Sequence, residues 1–278
     1  MASSIDDSKA PLLEHLIELR TRLIRSAAVL LIAFFACFYV AGDIFEFLVK
    51  PLADQLGPGR KMIFTELHEV FFTYVKVAFF AGLFISFPLI ANQMWQFIAP
   101  GLYSKEKRAF LPFLILTPVL FFTGGALVYY VMMPVAWQFF LTFETIGTGS
   151  ALPIQLEAKV NEYLSLVMKL IFAFGLSFEL PLVLTLMAKG GMVSSKGLAE
   201  KRKYAIVGAF IAAAVLTPPD PLSQISLAVP IILLYEASII SVRFVEKARG
   251  DVEDEDEPDD DDGNDDDDLE DTDFNAGR

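Results

Sequence analysis

The chain has 278 residues, of which 54% are apolar, and Phe alone occurs 26 times. Its mean hydropathy is +0.50, whereas a soluble domain is about 45–50% apolar, so the composition excludes a single soluble globular domain and indicates a polytopic membrane protein. The net charge of −13 is unevenly divided, because residues 251–278 hold 17 of the 35 carboxylates and residues 1–250 carry a net charge of +3.

Six nearly uncharged runs predict six transmembrane helices, and the first four approach or exceed the roughly 20 apolar residues that cross the hydrocarbon core of a bilayer. The predicted spans cover residues 23–42, 77–95, 109–133, 163–187, 204–216 and 221–235. A Thr-Pro-Pro-Asp turn separates the last two spans, because consecutive prolines end a helix. The sequence therefore predicts an all-α polytopic membrane protein.

The first span is preceded by a short amphipathic segment. Leu12, Leu13, Leu16 and Ile17 recur at helical spacing, which predicts a separate interfacial helix over residues 11–20. The predicted organisation is a flexible N-terminus at 1–10, a six-helix membrane domain at 11–247 and an acidic tail at 248–278. The tail is predicted to be disordered, because its like charges repel and it has little apolar surface to bury.

The last two predicted spans are short. A run of 13 residues covers only about 20 Å at about 1.5 Å per residue, against a hydrocarbon core of about 30 Å. Two interpretations are open: neighbouring helices shield the ends, or the bilayer is locally thinner beside them.

The distribution of basic residues predicts the orientation in the membrane. An even number of spans places both termini on one side, and that side receives 15 of the Lys and Arg residues, against 4 on the other. Because cytoplasmic loops carry the excess of positive charge, we predict a multi-pass protein of the cytoplasmic (inner) membrane with both termini in the cytoplasm.

Two carboxylates are candidate binding groups on the cytoplasmic side. Glu18 lies four residues before Arg22, so it either forms a surface ion pair on one helix or binds an external cation. Glu106 is the only acid of a basic loop, where it either balances charge or accepts bidentate hydrogen bonds from an arginine.

Two polar residues of the predicted spans are further candidates. Glu179 places a charge at membrane depth, which is costly and usually functional, although it also lies near the predicted cytoplasmic end of its span. Gln224 either bonds a partner helix or satisfies the preceding turn. Lys169 also falls within a span, and the sequence assigns it no role.

The rare residues exclude several classes of protein. Cys37 is the only cysteine, and His15 and His68 are the only histidines, so no internal disulfide, zinc site or hydrolytic triad is expected. We expect no enzymatic activity, no cofactor, no metal and no nucleic-acid partner. An alternative is a proton-coupled small-solute transporter using Glu179 and Glu236, although the two halves show no inverted repeat.

Four short segments stand out along the chain: HLIELR at 15–20, FIAPGLY at 97–103 followed by Glu106, FGLSFELP at 174–181, and LTPPD at 216–220. Together they resemble the TatC family, the core membrane subunit of the twin-arginine protein translocase. Each motif alone is weak, but their order and spacing match the family over roughly residues 11–247. The acidic tail lies outside the resemblance, and Gly101 stands where some members have Ala.

The resemblance implies a set of site residues. Glu18 and Glu106 match the acids of the site that recognises signal peptides. The other matching positions are Arg20, Phe97 and Tyr103 around that site, Pro51 in the first external loop, and Tyr129, Glu179, Asp220 and Gln224 on the concave face and its external edge.

The resemblance also implies the function and the partners. TatC-like proteins act as signal-peptide receptors and assembly platforms for the export of folded proteins, driven by the proton-motive force. The expected partners are TatA- and TatB-type single-span proteins, twin-arginine signal peptides of folded cargo, membrane lipids and further copies of the chain in one complex.

Overall fold

The structure, a computed structural model, describes residues 9–57, 59–102, 107–145, 152, 154–217 and 221–255. Its helices are α1 Lys9–Tyr39, α2 Ala41–Leu56, α3 Glu69–Leu102, α4 Lys107–Leu127, a π-helical turn Val128–Met132, α5 Met133–Leu141, α6 Val160–Phe178, α7 Leu180–Lys189, α8 Ser195–Glu200, α9 Arg202–Leu216 and α10 Pro221–Glu255. Within these ranges the only β-structure is two isolated bridges. The prediction of an all-α polytopic fold is confirmed.

As far as the structure describes the chain, six helical passes form the bundle: α1, α3, α4 with α5, α6 with α7, α9 and α10. In the described part of the chain, five of them are long and apolar enough to cross a membrane. The sixth, α9, has 15 residues and therefore spans only about 22 Å. We call the end that holds Lys9 and Glu255 the terminus end, and the end that holds the connections after Leu56 and Leu141 the loop end.

The N-terminal amphipathic segment is helical but not separate from the first span. Helix α1 runs without a break from Lys9 to Tyr39, which corrects the prediction of an independent interfacial helix over residues 11–20. No Gly or Pro follows Pro11 before the end of this helix, so nothing in the sequence interrupts its backbone hydrogen bonds.

The connection after the first span was predicted to be a loop, but it contains a helix. Helix α2 covers Ala41–Leu56 with Pro51 in its interior. Its apolar residues Leu48 and Leu52 are buried, and it packs against α3, α5 and α6. The helix forms because its apolar residues recur every three to four positions.

Prolines divide the third and fourth passes. The third pass extends to Leu141, well beyond the predicted end at residue 133, and contains the π-helical turn just before Pro134. The fourth pass breaks at Glu179, two residues before Pro181. Proline lacks the N–H that continues an α-helix, so the helix shifts its hydrogen-bond register or stops there.

The last helix is not short. Helix α10 has 35 residues and ends at Glu255, so residues 248–255, which the sequence assigned to the disordered tail, are helical. The charge of Glu236 ended the predicted span, but its carboxylate binds Arg202 of α9 at 2.8 Å and the helix continues through it. Residues 256–278 lie outside the described ranges.

Close packing fixes the arrangement of the passes. Helix α1 lies along α3, α4 along α6, and α10 against α7, α8 and α9. The α4–α6 crossing needs glycine, because a Cβ at Gly124 would lie 2.6 Å from the Phe174 carbonyl oxygen. Small residues allow helix backbones to approach in this way. The main core lies where α2, α5, α6, α9 and α10 meet.

Candidate functional site at the terminus end

The start of α1 and the end of α3 meet at the terminus end. The His15 ring stacks on Phe97, with ring centroids 4.2 Å apart and an interplanar angle of 15°. Because the two helices run antiparallel along each other, this contact holds the first turns of α1 against the last turns of α3. The Glu18 carboxylate lies one turn further along α1.

A chain of hydrogen bonds orients this carboxylate. Arg22 donates to Glu18 Oε1 from Nε at 3.0 Å and from Nη2 at 2.6 Å. Arg22 Nη1 donates to Gln96 Oε1 at 2.9 Å, and Gln96 Nε2 donates to Asn92 Oδ1 at 2.8 Å. Helix α3 therefore fixes the arginine, and the arginine fixes the carboxylate.

One oxygen of Glu18 stays open to an incoming cation. Both Arg22 hydrogen bonds use Oε1, while His15 Nδ1 lies 4.0 Å from Oε2. The Glu18 side chain is 37% exposed and that of Arg22 is 18% exposed. The arrangement can accept a further guanidinium at Oε2 without breaking the existing pair. Both interpretations of Glu18 left open by the sequence are thus compatible.

The structure brings some of the predicted residues of this site together. Glu18 and Phe97 flank His15, and Arg20 is exposed on the same stretch of α1. Tyr103 and Glu106 lie outside the described residues, so their placement beside Glu18 stays a prediction.

The residues that orient Glu18 were not predicted from the sequence. Asn92 and Gln96 are four residues apart near the end of a largely apolar helix, a spacing that places two side chains on one helix face. That pair of amides is enough to predict a polar contact at this end of the helix. The sequence does not predict that the contacted helix is α1, because this depends on how the passes pack.

Pro51 and Tyr129 form a second cluster at the loop end. Pro51 has no N–H, so the Phe47 carbonyl one turn earlier loses its helical donor. The Tyr129 hydroxyl, from the π-helical turn, donates to that carbonyl at 2.7 Å, and its ring stacks on Phe47 with centroids 4.3 Å apart. The next carbonyl, of Leu48, accepts from the Tyr163 hydroxyl at 3.0 Å. Tyrosines therefore anchor α2 at its proline.

Carboxylates hold the loop-end connections together. Glu144 accepts both guanidinium nitrogens of Arg60, with Nη2 at 2.6 Å, and the Leu156 backbone N–H at 2.8 Å. The Arg60 bonds, followed by the Leu156 bond, lower the pKa of Glu144 to about 2. Glu69 accepts the N–H groups of Thr65 and Asn161, and so ties the loop before α3 to the first turn of α6.

Glu179 is buried between passes at the break of the fourth pass. Its side chain is 6% exposed, and neither carboxyl oxygen has a hydrogen-bond partner among the described residues. The hydroxyl of Thr117 on α4 lies nearby, but it donates to the Phe113 carbonyl at 3.1 Å. An unpartnered carboxyl group inside a membrane bundle is costly, so this position is a functional candidate rather than a surface charge.

Gln224 is bonded within the chain. Its Nε2 donates to the Phe210 carbonyl of α9 at 3.2 Å, so the amide joins α10 to α9 rather than satisfying the turn. Asp220, in that turn, lies outside the described residues. Glu236, which the transporter alternative used as a proton carrier, is 39% exposed and paired with Arg202.

The family model for "Sec-independent protein translocase protein (TatC)" matches residues 14–230. The chain belongs to the TatC family. It is 56% identical over 247 residues to the TatC protein of Magnetococcus marinus, covering 89% of each chain. It is 39% identical over 241 residues to that of Escherichia coli K12, covering 87% of this chain and 91% of the relative.

The fold matches as well. A solved structure described as the twin-arginine translocase receptor TatC superposes with a TM-score of 0.74 at 38% identity, over 84% of this chain and 99% of that one. The resemblance read from the four motifs is therefore confirmed, and the transporter alternative is not favoured. TatC proteins are components of a protein translocase, and the fold identifies this chain as a multi-pass membrane protein.

Proposed function

We propose that this chain is the signal-peptide receptor and assembly platform of a twin-arginine translocase that exports folded proteins by using the proton-motive force. Membership of the TatC family supports the class of activity. The single observation that carries the receptor role is the Glu18 carboxylate, which is oriented by Arg22 and open at Oε2.

The geometry of Glu18 suits a guanidinium. Arginine presents its N–H groups in a planar fork that matches a carboxylate, whereas lysine is a compact point charge. The Phe97 ring stacks on His15, one turn from Glu18, and we propose that its other face accepts a guanidinium. We propose that Glu18 binds one arginine of the signal and that Glu106, with Arg20, Phe97 and Tyr103 around the pair, binds the other.

The proposed orientation places this site in the cytoplasm. The 15-to-4 bias of Lys and Arg toward the terminus end supports cytoplasmic termini in the inner membrane. Signal peptides reach a translocase from that side. Alkylation of single cysteines tests the orientation in a Cys37→Ala background: Glu200→Cys at the terminus end is expected to stay protected in intact cells, and Glu66→Cys to react. The reverse pattern would contradict the proposal.

The bundle supports the role of a platform rather than a pore. Its core is filled by packed side chains from α2, α5, α6, α9 and α10. A folded domain of 100 residues has a radius of gyration of about 13 Å and is therefore more than about 25 Å across. A bundle whose interior is filled by packed side chains leaves no passage of that width. We therefore propose that passage needs TatA- and TatB-type single-span partners, membrane lipids and several copies of the complex.

Two polar positions are the proposed contacts for the single-span partners. Glu179 offers a buried carboxyl group without a hydrogen-bond partner in the described ranges, and Gln224 lies at the loop end of α10. The two residues lie at different depths of the bundle, so we propose that they serve different contacts, and Asp220, outside the described residues, is a further proposed contact.

The decisive experiment measures binding of a synthetic Arg-Arg signal peptide to the purified protein in nanodiscs. Losing one charged hydrogen-bonded contact costs about 1.5–3 kcal/mol, so Glu18→Gln is expected to weaken binding roughly tenfold or more. Glu200→Gln is the matched control, because Glu200 is an exposed acid at the same end, and it is expected to bind normally.

A Lys-Lys peptide separates recognition from general attraction. The intact protein is expected to prefer Arg-Arg, and Glu18→Gln combined with Glu106→Gln is expected to lose most of that preference. If the correctly folded double variant still prefers Arg-Arg over Lys-Lys to the same extent, neither acid belongs to the recognition site.

A further inference from the structure

Two cavities adjoin at the loop end of the bundle and differ in chemistry. One has a volume of about 400 Å³ and an almost wholly apolar lining, and the other has about 540 Å³ and a more polar lining. Trp137, Leu166 and Thr217 line both, so the cavities share a wall. Each falls within the range of about 300–1,000 Å³ that small-molecule sites occupy.

The apolar cavity is suited to hydrocarbon. It lies between the third pass, α6 and α10. Its walls are formed mainly by aliphatic, methionine and aromatic side chains, among them Met132, Phe140, Leu170, Leu227 and Pro230. A chain of methylene groups gains free energy there only through dispersion contacts, since lipid tails are as apolar as the lining.

The polar cavity contains a cation at membrane depth. Lys169 lines it, is exposed, and makes no ion pair among the described residues. Lys159 and Glu162, also in the lining, pair with each other at 3.5 Å. Lys169 lies ten residues beyond Lys159 and therefore about 15 Å further along the helix. A cation at this depth is expensive unless an anion meets it.

The wall between the cavities carries a buried donor. Trp137 is 7% exposed, and its indole Nε1 makes no hydrogen bond of good geometry in the part of the chain that the structure describes. The neighbouring Tyr163 hydroxyl donates to the Leu48 carbonyl, and its oxygen interacts only weakly with the indole N–H. A buried indole N–H usually finds a stronger partner, and an ester carbonyl placed between an apolar tail and an anionic head would supply one.

We propose that the paired cavities bind an anionic glycerophospholipid from the leaflet at the loop end. Its acyl chain occupies the apolar cavity, and its phosphate approaches Lys169 through the polar cavity. Basic pockets between transmembrane helices bind lipid head groups in this way. An uncharged apolar helix of a partner would fill the first cavity but would leave Lys169 unpaired, which is why a lipid fits the pair better.

The chain offers its own reporter for this site. It has only two tryptophans, so Trp95→Phe leaves Trp137 as the single fluorophore. This variant is reconstituted in phosphatidylethanolamine bilayers that contain a minor fraction of phosphatidylglycerol. Bromine, a contact quencher, is placed on the acyl chains of the phosphatidylglycerol in one sample and on an equal amount of phosphatidylethanolamine in the other.

We expect Trp137 to be quenched by both lipids, with a preference of about fivefold for the anionic one. Lys169→Met is expected to abolish the preference while quenching persists, and Lys169→Arg to retain it. Lys50→Met, which removes an exposed loop-end charge outside the cavities, is expected to change nothing.

Three results would overturn the proposal. Absence of quenching by either lipid would show that no acyl chain fills the apolar cavity. Equal quenching by the two lipids in the protein that keeps Lys169 would show that Lys169 does not contact the anionic head group. A preference that survives in a correctly folded Lys169→Met variant, judged by its gel-filtration profile, would assign the selectivity to another cation.

Discussion

The tyrosine that anchors α2 at its internal proline is expected to stabilise the fold through one hydrogen bond, which the sequence alone does not predict. Pro51 leaves the Phe47 carbonyl without its helical donor, and the Tyr129 hydroxyl supplies the missing bond at 2.7 Å. Tyr129→Phe removes the hydroxyl but keeps the ring that stacks on Phe47. The substitution therefore isolates the hydrogen bond from the packing.

The expected cost follows from burial. Tyr129 is 7% exposed, so water replaces the lost donor poorly. Leaving a buried acceptor unsatisfied costs about 1–3 kcal/mol, and we expect Tyr129→Phe to lower the free energy of unfolding by that amount. Tyr130→Phe is the matched control, because Tyr130 is the next residue and is 68% exposed, and its cost is expected to be near zero.

A double-mutant cycle with Pro51→Ala tests the physical cause. An alanine at this position restores the N–H that donates to the Phe47 carbonyl, so Tyr129→Phe is expected to cost less in that background. Contacting residues show coupling free energies of about 0.5–3 kcal/mol. The measurement is equilibrium unfolding in mixed micelles with increasing sodium dodecyl sulfate.

Equal costs of Tyr129→Phe in the intact protein and in the Pro51→Ala variant would refute the reasoning. That result would show that the tyrosine stabilises the protein through its ring or through another acceptor. A negligible cost in the protein that keeps Pro51, with the fold intact, would show that the Phe47 carbonyl has access to another donor.

Further predictions concern the loop end and the bundle interior. Arg60 holds the pKa of Glu144 at about 2, below its ordinary 4.5, so the stability that this ion pair contributes is present above pH 4.5 and is lost as pH falls toward 2. Glu144→Gln is expected to make the free energy of unfolding independent of pH in that window. A pH profile unchanged by the substitution would show that the pair does not contribute to stability. Gly124→Leu is expected to prevent assembly of the α4–α6 crossing, measured as loss of folded protein in membranes, whereas normal yield would mean that the helices separate freely. Glu179→Met is expected to raise stability in the same detergent titration but to impair export with signal binding intact; normal export would leave this carboxyl without a function. Gln224→Leu is expected to weaken co-purification of single-span partners, and full retention would assign the amide only to its bond with α9.

The sequence was sufficient for the features that depend on local composition. The number of passes followed from the uncharged runs, and the family followed from four short motifs. Both are properties of consecutive residues, because the cost of placing charge in hydrocarbon acts on each segment separately. The Glu18–Arg22 ion pair could also be predicted, since residues four apart share one helix face.

The sequence misjudged features that depend on the neighbours of a segment. Glu236 was expected to end the last span, yet α10 continues through it because Arg202 of α9 neutralises its charge. Helix α2 was expected to be a loop with a proline, yet Tyr129 supplies the donor that the proline removes. In both cases the compensating group lies far away in the chain.

The sequence by itself therefore determined the membrane character, the order of the passes and the candidate acids. Only the tertiary structure decided that His15 meets Phe97, that Gln96 orients Arg22 and so Glu18, and that Glu179 is buried without a hydrogen-bond partner in the described ranges. The physical reason is that hydropathy and helical periodicity are local, whereas hydrogen-bond satisfaction and burial are set by side chains that only packing brings together.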